Sequence, residues 1–193
     1  MNSEQQLILQ IQNGDHDAFG MLVEDLLSSA QKTAYLVLRS RDLVEDAVQL
    51  ALEDAYISIM RGKEINNFKP WFYRLVYNRS VDLYRKRSRQ TYVPIEDSSE
   101  AEEKMKTESL HIQLMANENR NEMMSWLALI DENQRIPLLL YYYEDMSIKD
   151  ISLALGENMN TVKSRLKRGK RKLAELMGKD KKFLTEAETY GIQ

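Results

Sequence analysis

Residues 147–173 read SIKDISLALGENMNTVKSRLKRGKRKL, and this stretch decides the fold. Ser147 is a natural helix N-cap, because its hydroxyl can accept a hydrogen bond from a first-turn amide that has no intrahelical partner. Ile148, Ile151 and Leu155 then fall on the buried side of a short helix, and Gly156 supplies the left-handed residue that ends it. Asn158 or Asn160 can cap a following helix in which Val162, Leu166, Gly169, Leu173 and Leu176 recur at steps of four and three and face inward. Two helices joined by a glycine turn, the second basic on its outer side, make the helix-turn-helix arrangement, whose second helix offers its N-terminal residues to the major groove. Asn160, Thr161, Lys163, Ser164, Arg165, Lys167 and Arg168 are therefore the candidate duplex contacts. Arg pairs bidentately with guanine, whereas Lys and Ser more often hold phosphates. The run Lys170–Lys172 reads as nonspecific charge. A competing reading, a helical hairpin with a solvated basic end, stays open on this stretch alone.

Working outward, the same helical spacing covers most of the 193 residues, and glycine (seven) and proline (three) are scarce. The chain is predicted all-α. Phe19, Leu22, Leu26, Ala30, Thr33 and Val37 form one stripe, and Val44, Val48, Ala51, Ala55 and Ile59 a second, with Asp42 as its N-cap and Arg61 and Gly62 at its end. Pro70 suits the first residue of a third helix, which continues through RKRSRQ. NEMMSWLALI and RIPLLLYYYEDM read as two apolar helices, with Pro137 near the start of the second or at a kink in it. Between Pro94 and Asn117 the chain is acidic, contains serines and lacks aromatics, the composition of a linker. The expected architecture is two small helical domains, residues 1–93 and 118–180, joined by a flexible acidic linker at 94–117. The second domain carries the helix-turn-helix, and 181–193 form a tail.

Charge is distributed in blocks. Residues 1–60 hold three basic and ten acidic side chains, 61–90 nine and two, 95–132 three and ten, and 147–182 eleven and four, although the formal net charge is only -3. Two basic blocks alternating with acidic ones point to two separate polyanion contacts on a chain that also meets something else. Zero Cys excludes a disulfide scaffold and cysteine-ligated metals, and the two His, His16 and His111, stand far apart. No Gly-rich phosphate loop is present, so neither an enzyme, a cofactor nor a metal is expected. No run approaches the roughly 18 apolar residues of a membrane span, and a soluble, cytoplasmic protein without stable membrane insertion is predicted.

The other basic block, FKPWFYRLVYNRSVDLYRKRSR, interleaves Phe68, Trp71, Phe72, Tyr73, Tyr77 and Tyr84 with Lys69, Arg74, Arg79 and the run Arg85 to Arg87. Backbone-neutralising charge beside stackable rings suits single-stranded nucleic acid, where each stacked base contributes about 1–3 kcal/mol. Several rings must be core: Phe72, Val76 and Leu83 share one face and are assigned to packing. Trp71, Leu75, Asn78, Asp82 and Arg85 share another. There Asn78 and Asp82 either satisfy each other and nearby backbone, or Asn78 meets a base edge.

Taken together, the motifs resemble those of bacterial RNA polymerase sigma factors of the small, two-domain extracytoplasmic-function type. QNGDHDAF is similar to the family's Gly-Asp-x-x-Ala-Phe start and VEDAVQ to its Glu-Asp-x-x-Gln helix. WFYRLVYNRSVDLYRKR is similar to its Trp-x-Tyr-Arg-x-x-x-Asn-x-x-x-Asp-x-x-Arg segment, and TVKSRLKRGKRKL to its Thr-Val-Lys-Ser-Arg-Leu helix. The resemblance implies a non-catalytic initiation factor that binds core RNA polymerase and directs it to promoters. It also implies residue roles. Glu45, Asp46 and Gln49 would dock on the polymerase clamp. Asn66, Asn67, Phe68, Lys69 and Trp71 would surround a flipped-out base of the minus-ten element, with Asn78, Asp82, Arg85, Lys86 and Arg87 near the melted strand. The helix-turn-helix would read the minus-thirty-five element as duplex. An anti-sigma factor is the further partner that the resemblance implies. The alternative from a different class is a transcriptional regulator that binds duplex DNA through its helix-turn-helix without polymerase.

Overall fold

The computed structural model describes residues 3–90 and 126–176. The chain runs through α1 (Ser3–Gln12), α2 (Asp17–Leu38), α3 (Arg41–Met60), α4 (Phe68–Gln90), α5 (Glu132–Tyr142), α6 (Ile148–Leu155) and α7 (Met159–Leu176). No strand occurs among the described residues, in agreement with the all-α expectation. The acidic stretch 94–117, the tail 181–193 and the N-terminal half of NEMMSWLALI lie outside them. Of that last segment a single helical turn, 126–128, is described.

Helices α2, α3 and α4 pack against one another, α1 lies across α2 and α3, and α5, α6 and α7 form a second group. The α1 helix was not foreseen, because Ile8 and Ile11 are the sole fully buried positions on it and ten residues give periodicity little room. It matters nonetheless. Gln5 Nε2 donates to Ile65 O at 2.7 Å and Gln12 Nε2 to Ile59 O at 3.2 Å, so α1 ties down the C-terminal end of α3 and the loop that follows it. QNGDHDAF has a local explanation too: Gly14 takes φ +95°, and the Asp15 carboxylate then accepts from the amides of Asp17 and Ala18, which start α2.

Two predicted starts move. Ser40, in extended conformation, is the N-cap of α3. Asp42 sits inside the first turn, where its charge favours the positive end of the helix dipole. The third predicted helix begins at Phe68, which places Pro70 in the first turn rather than at its head; the missing amide hydrogen costs nothing there, since first-turn amides lack intrahelical acceptors anyway. Pro137 lies inside α5, which starts earlier than expected because the Asp131 side chain accepts from the Asn133 amide at 2.9 Å. The helix-turn-helix matches its reading closely. Ser147 Oγ accepts from the Asp150 amide at 3.1 Å, Gly156 closes α6 at φ +66°, and Asn158 accepts from the Asn160 amide at 2.8 Å. The C-terminal half of α2, Thr33–Leu38, is buried on all sides. A helix buried all round must be covered by more than one layer, and α5 lies on it from the second group.

Gly169 allows α7 to approach α5. A Cβ there would sit 2.8 Å from Leu138 Cδ1, 3.1 Å from Leu138 Cγ and 3.3 Å from Gln134 Cβ, and Leu138 is wholly buried. Overpacking of this kind costs about 1–3 kcal/mol, against about 1 kcal/mol of helix propensity gained by alanine. The clash prevails. Gly169→Ala is expected to destabilise the fold by about 1 kcal/mol, and a denaturation midpoint equal to or above the parent's would contradict this packing.

Candidate nucleic-acid and polymerase interface

Helix α4 carries three lengthwise faces. Phe68, Phe72 and Val76, with Ser80, are fully buried against α2 and α3, and the rings of Phe68 and Phe72 stack at 5.7 Å. Burying each such side chain contributes about 1.5–3 kcal/mol. Arg79 fastens the same helix to α3 through two bonds to the Asp54 carboxylate, at 2.6 and 2.7 Å, and this bidentate contact holds its guanidinium above the usual arginine range. Arg79 is thereby removed from the pool of charge available to a polyanion.

The outer face presents Asn78, Asp82, Arg85, Lys86 and Arg87, all exposed, with Trp71 and Leu75 half-buried above them. Asn78 and Asp82 therefore keep access to water and carry no burial penalty, which leaves Asn78 available to a base edge. Lys63 sits 5.4 Å from the Trp71 ring centroid, a cation over the face that a base would take. Phe68 corrects one expectation: it is wholly buried, so its ring shapes the loop from below and presents no surface to a base. Asn66 and Asn67 are exposed on that loop.

The third face, Lys69, Tyr73 and Tyr77, turns toward the C-terminal helices. Lys69 Nζ donates to Glu144 O at 2.6 Å and lies 3.2 Å from Glu144 Oε2, while Asn67 Nδ2 donates to Asp150 Oδ1 at 3.2 Å. Tyr73 is buried beside the same Glu144; desolvation first, and the nearby carboxylate second, push its hydroxyl far above the ordinary tyrosine value. Tyr77 is raised for the same first reason, with Glu132 and Glu157 adding and Arg165 opposing.

On α7, Lys163, Ser164, Lys167 and Arg168 are exposed beside Asn160, and Thr161 is half-buried. Ser164 Oγ donates to Thr161 O and Arg168 Nε to Ser164 O, so these two side chains lie along the helix surface. Arg165 is drawn back: its Nη1 pairs with Glu157 Oε1 at 2.7 Å. Leu176 is half-buried, while Lys170, read as nonspecific charge, is buried with its ammonium 4.9 Å from the Tyr141 ring and 5.4 Å from that of Tyr142. Desolvation there pulls Lys170 down from its ordinary value and pushes Tyr142 up to about 12. A Lys at the C-terminal side of a basic helix gave no signal separating it from its solvated neighbours; only the paired tyrosines of α5 do. On α3, Glu45, Asp46 and Gln49 are exposed on one side, and Gln49 Nε2 donates to Glu53 Oε1 at 3.1 Å. No helix among the described residues is long and apolar enough to cross a membrane.

Lys170→Ala is expected to cost about 1–2 kcal/mol through loss of its stem packing and cation–π contacts, whereas Lys172→Ala should stay within about 0.5 kcal/mol of the parent. Equal thermal shifts for the two variants would refute the assignment of Lys170 to the core.

Comparison with known proteins converges on this geometry. The family model described as Sigma-70 region 2 matches residues 22–90, and that described as Sigma-70, region 4 matches residues 120–173. The chain is 26% identical over 179 residues to the ECF RNA polymerase sigma factor SigW of Bacillus subtilis, covering 86% of this chain and 92% of that protein. It is 27% identical over 176 residues to the RNA polymerase sigma-H factor of Pseudomonas aeruginosa, covering 86% and 90%. Its fold is similar to that of CnrH, solved with the cytosolic domain of CnrY (TM-score 0.63, 21% identity, 93% and 99% of the two chains). It is also similar to RpoE of Bartonella quintana, solved with the anti-sigma factor NepR (TM-score 0.62, 20% identity, 84% and 98%).

Proposed function

The chain belongs to the extracytoplasmic-function (ECF) sigma factors of RNA polymerase and is a promoter-directing transcription initiation factor; on that premise we propose how its helices divide the work. The exposed side of α3 with Glu45, Asp46 and Gln49 docks on core polymerase. The loop before α4, with Asn66, Asn67, Lys69 and Trp71, and the outer face of α4, with Asn78, Asp82, Arg85, Lys86 and Arg87, take the melted minus-ten strand. Asn160, Thr161, Lys163, Ser164, Arg165, Lys167 and Arg168 of α7 read the minus-thirty-five duplex. The residue limits expected from the sequence, 1–93 and 118–180 about a 94–117 linker, are the domain boundaries of this reading. The protein works without catalysis, cofactor or metal, and in the cytoplasm.

One observation carries the reading: the outer face of α4 combines exposed cations, an exposed amide and a half-buried indole on a helix whose inner face is locked to the core. A helix that merely solvated its charge would need no indole beside them, and a regulator of duplex DNA would need no second basic block with rings. Extruding and unstacking a base costs a few kcal/mol, which stacking on Trp71 and hydrogen bonds from the loop offset. CnrH and RpoE were solved with CnrY and the anti-sigma factor NepR; by analogy an anti-sigma protein is proposed as the partner that restrains this chain.

Run-off transcription from a promoter library with core polymerase tests the whole reading, and the absence of any promoter-dependent transcript would sink it. Within that assay, Asn78→Ala should reduce permanganate reactivity of minus-ten thymines while leaving retention on core polymerase unchanged, whereas Gln49→Ala should lower the retention on core polymerase itself. Arg168→Ala should lower the salt dependence of duplex binding by the polymerase complex by about one unit of slope. An unchanged slope would remove Arg168 from the phosphate contacts.

A further inference from the structure

We propose that Asp54 is a specificity-determining residue: by holding Arg79 away from phosphate, it keeps the outer face of α4 from gripping DNA regardless of sequence. The proposal deepens the functional reading above and rests on its assignment of that face to the melted strand.

Arg79 stands where a phosphate contact would be expected. It follows Asn78 directly and precedes Asp82 by three residues and Lys86 by seven, spacings that set it along the edge of the outer face. Arg85 and Lys86 are exposed there, and the Arg79 side chain is itself 37% exposed. Its guanidinium nevertheless turns to α3, where Nε donates to Asp54 Oδ2 at 2.6 Å and Nη2 to Asp54 Oδ1 at 2.7 Å. The neighbouring carboxylate is engaged elsewhere, since Glu53 Oε1 accepts from Gln49 Nε2 at 3.1 Å. The bonds to Asp54 come first in holding Arg79 above the usual arginine range, and the charges of Asp54, Asp82 and Glu53 add to them, so three carboxylates act on this one cation. Neither Asp54 nor Arg79 occupies a fixed position of the motifs that the chain shares with its family.

The pair is a minor part of what holds α4 in place. Phe68, Phe72, Val76 and Ser80 are wholly buried beneath it, and an ion pair with side chains 37% and 32% exposed adds little to stability. Its larger effect is on how the cation can be used. A phosphate contact carries no sequence information. A free guanidinium at the edge of the outer face would therefore strengthen binding to every sequence alike and lower the ratio of promoter to non-promoter binding. A carboxylate meets the guanidinium fork with the same two-oxygen geometry that a phosphate offers, so Asp54 competes with the DNA backbone for Arg79 directly. Specificity gained by suppressing wrong partners costs nothing at the base edge. Arg85 and Lys86 are left to hold the backbone, and Asn78 to meet a base.

The outer face of α4 is exposed in the free chain, so a labelled mixed-sequence single-stranded oligonucleotide, titrated with the full-length protein over a range of salt, reads the effect without polymerase. Asp54→Asn keeps the side chain's size and removes its charge. Arg79 should then reach one further phosphate, steepening the salt slope by about 0.7 and tightening binding roughly fivefold at 0.1 M salt. Adding Arg79→Gln to Asp54→Asn should return both quantities to the parent's values. Glu53→Gln, which removes an adjacent carboxylate that does not bond Arg79, should leave the slope as it is, and so should Arg79→Gln alone. In run-off transcription with core polymerase, the same oligonucleotide as competitor should halve the output of Asp54→Asn at about one-fifth of the concentration that the parent needs. An unchanged slope in Asp54→Asn overturns the proposal, as does an equal steepening in Glu53→Gln. A slope that falls by about 0.7 in Arg79→Gln alone overturns it too, because Arg79 would already sit on the backbone. Equal competition against parent and Asp54→Asn removes the specificity role. The slope is read with no promoter or polymerase present, so it stands or fails separately from the promoter-directing reading, whose failure would show as missing run-off transcript.

Discussion

One helix, α4, has to satisfy two cores and a solvent at once, and the rest of the structure follows from how it divides its circumference. Side chains four residues apart lie one above another on a helix. Phe68, Phe72, Val76 and Ser80 make one row, Lys69, Tyr73 and Tyr77 the next, and Trp71, Leu75, Asn78 and Asp82 a third. The first row is fully buried against α2 and α3. Once that row is seated and Arg79 is clamped to Asp54, the other two have no freedom of direction. One meets the C-terminal helices and the other meets water.

This division explains why a strongly basic block does not behave as a uniform basic surface. Of its cations, Arg79 is consumed in holding α4 on α3, Lys69 in meeting Glu144, and Lys63 in covering Trp71, while Arg85 and Lys86 remain exposed on the outer face. The same sorting occurs on α7, where Lys170 is buried between two tyrosines and Arg165 is held by Glu157, while Lys163, Lys167 and Arg168 are exposed. Charge counted along the chain measures how much is present. Packing decides which of it can reach a polyanion, because a guanidinium already bonded bidentately must lose those bonds before making others.

Much of the fold was legible. The inward rows of α3 and α7, the Ser147 cap, the Gly156 turn and the Asn158 cap all stand as the periodicity and turn chemistry placed them. Each is settled within one or two turns of helix, by amides needing acceptors and apolar groups leaving water. Helix starts were less secure: Ser40 and Asp42 are both good first-turn residues, and the choice between them rests on where α2 releases the chain at Arg39, which itself takes a left-handed conformation at φ +49°. In the candidate site, the exposure of Lys163 and Arg168 followed from the same rows, whereas the rows left open whether Asn78 and Asp82 satisfy each other or face outward, and the structure exposes both. The burial of Phe68 and of Lys170 did not follow from them, for each depends on groups contributed by other helices.

The sequence by itself determined that the chain is helical, which faces of most helices are apolar, and where a helix-turn-helix and a ring-bearing basic helix lie, because these depend on spacing of a few residues. Only the tertiary structure decided that the row Lys69, Tyr73 and Tyr77 faces Glu144 and the C-terminal helices. Glu144 stands 75 residues beyond Lys69 along the chain, and nothing local distinguishes a Lys that meets water from one that meets a buried carboxylate. The physical reason is that helical periodicity fixes the angle between two side chains on one helix and says nothing of what approaches from outside.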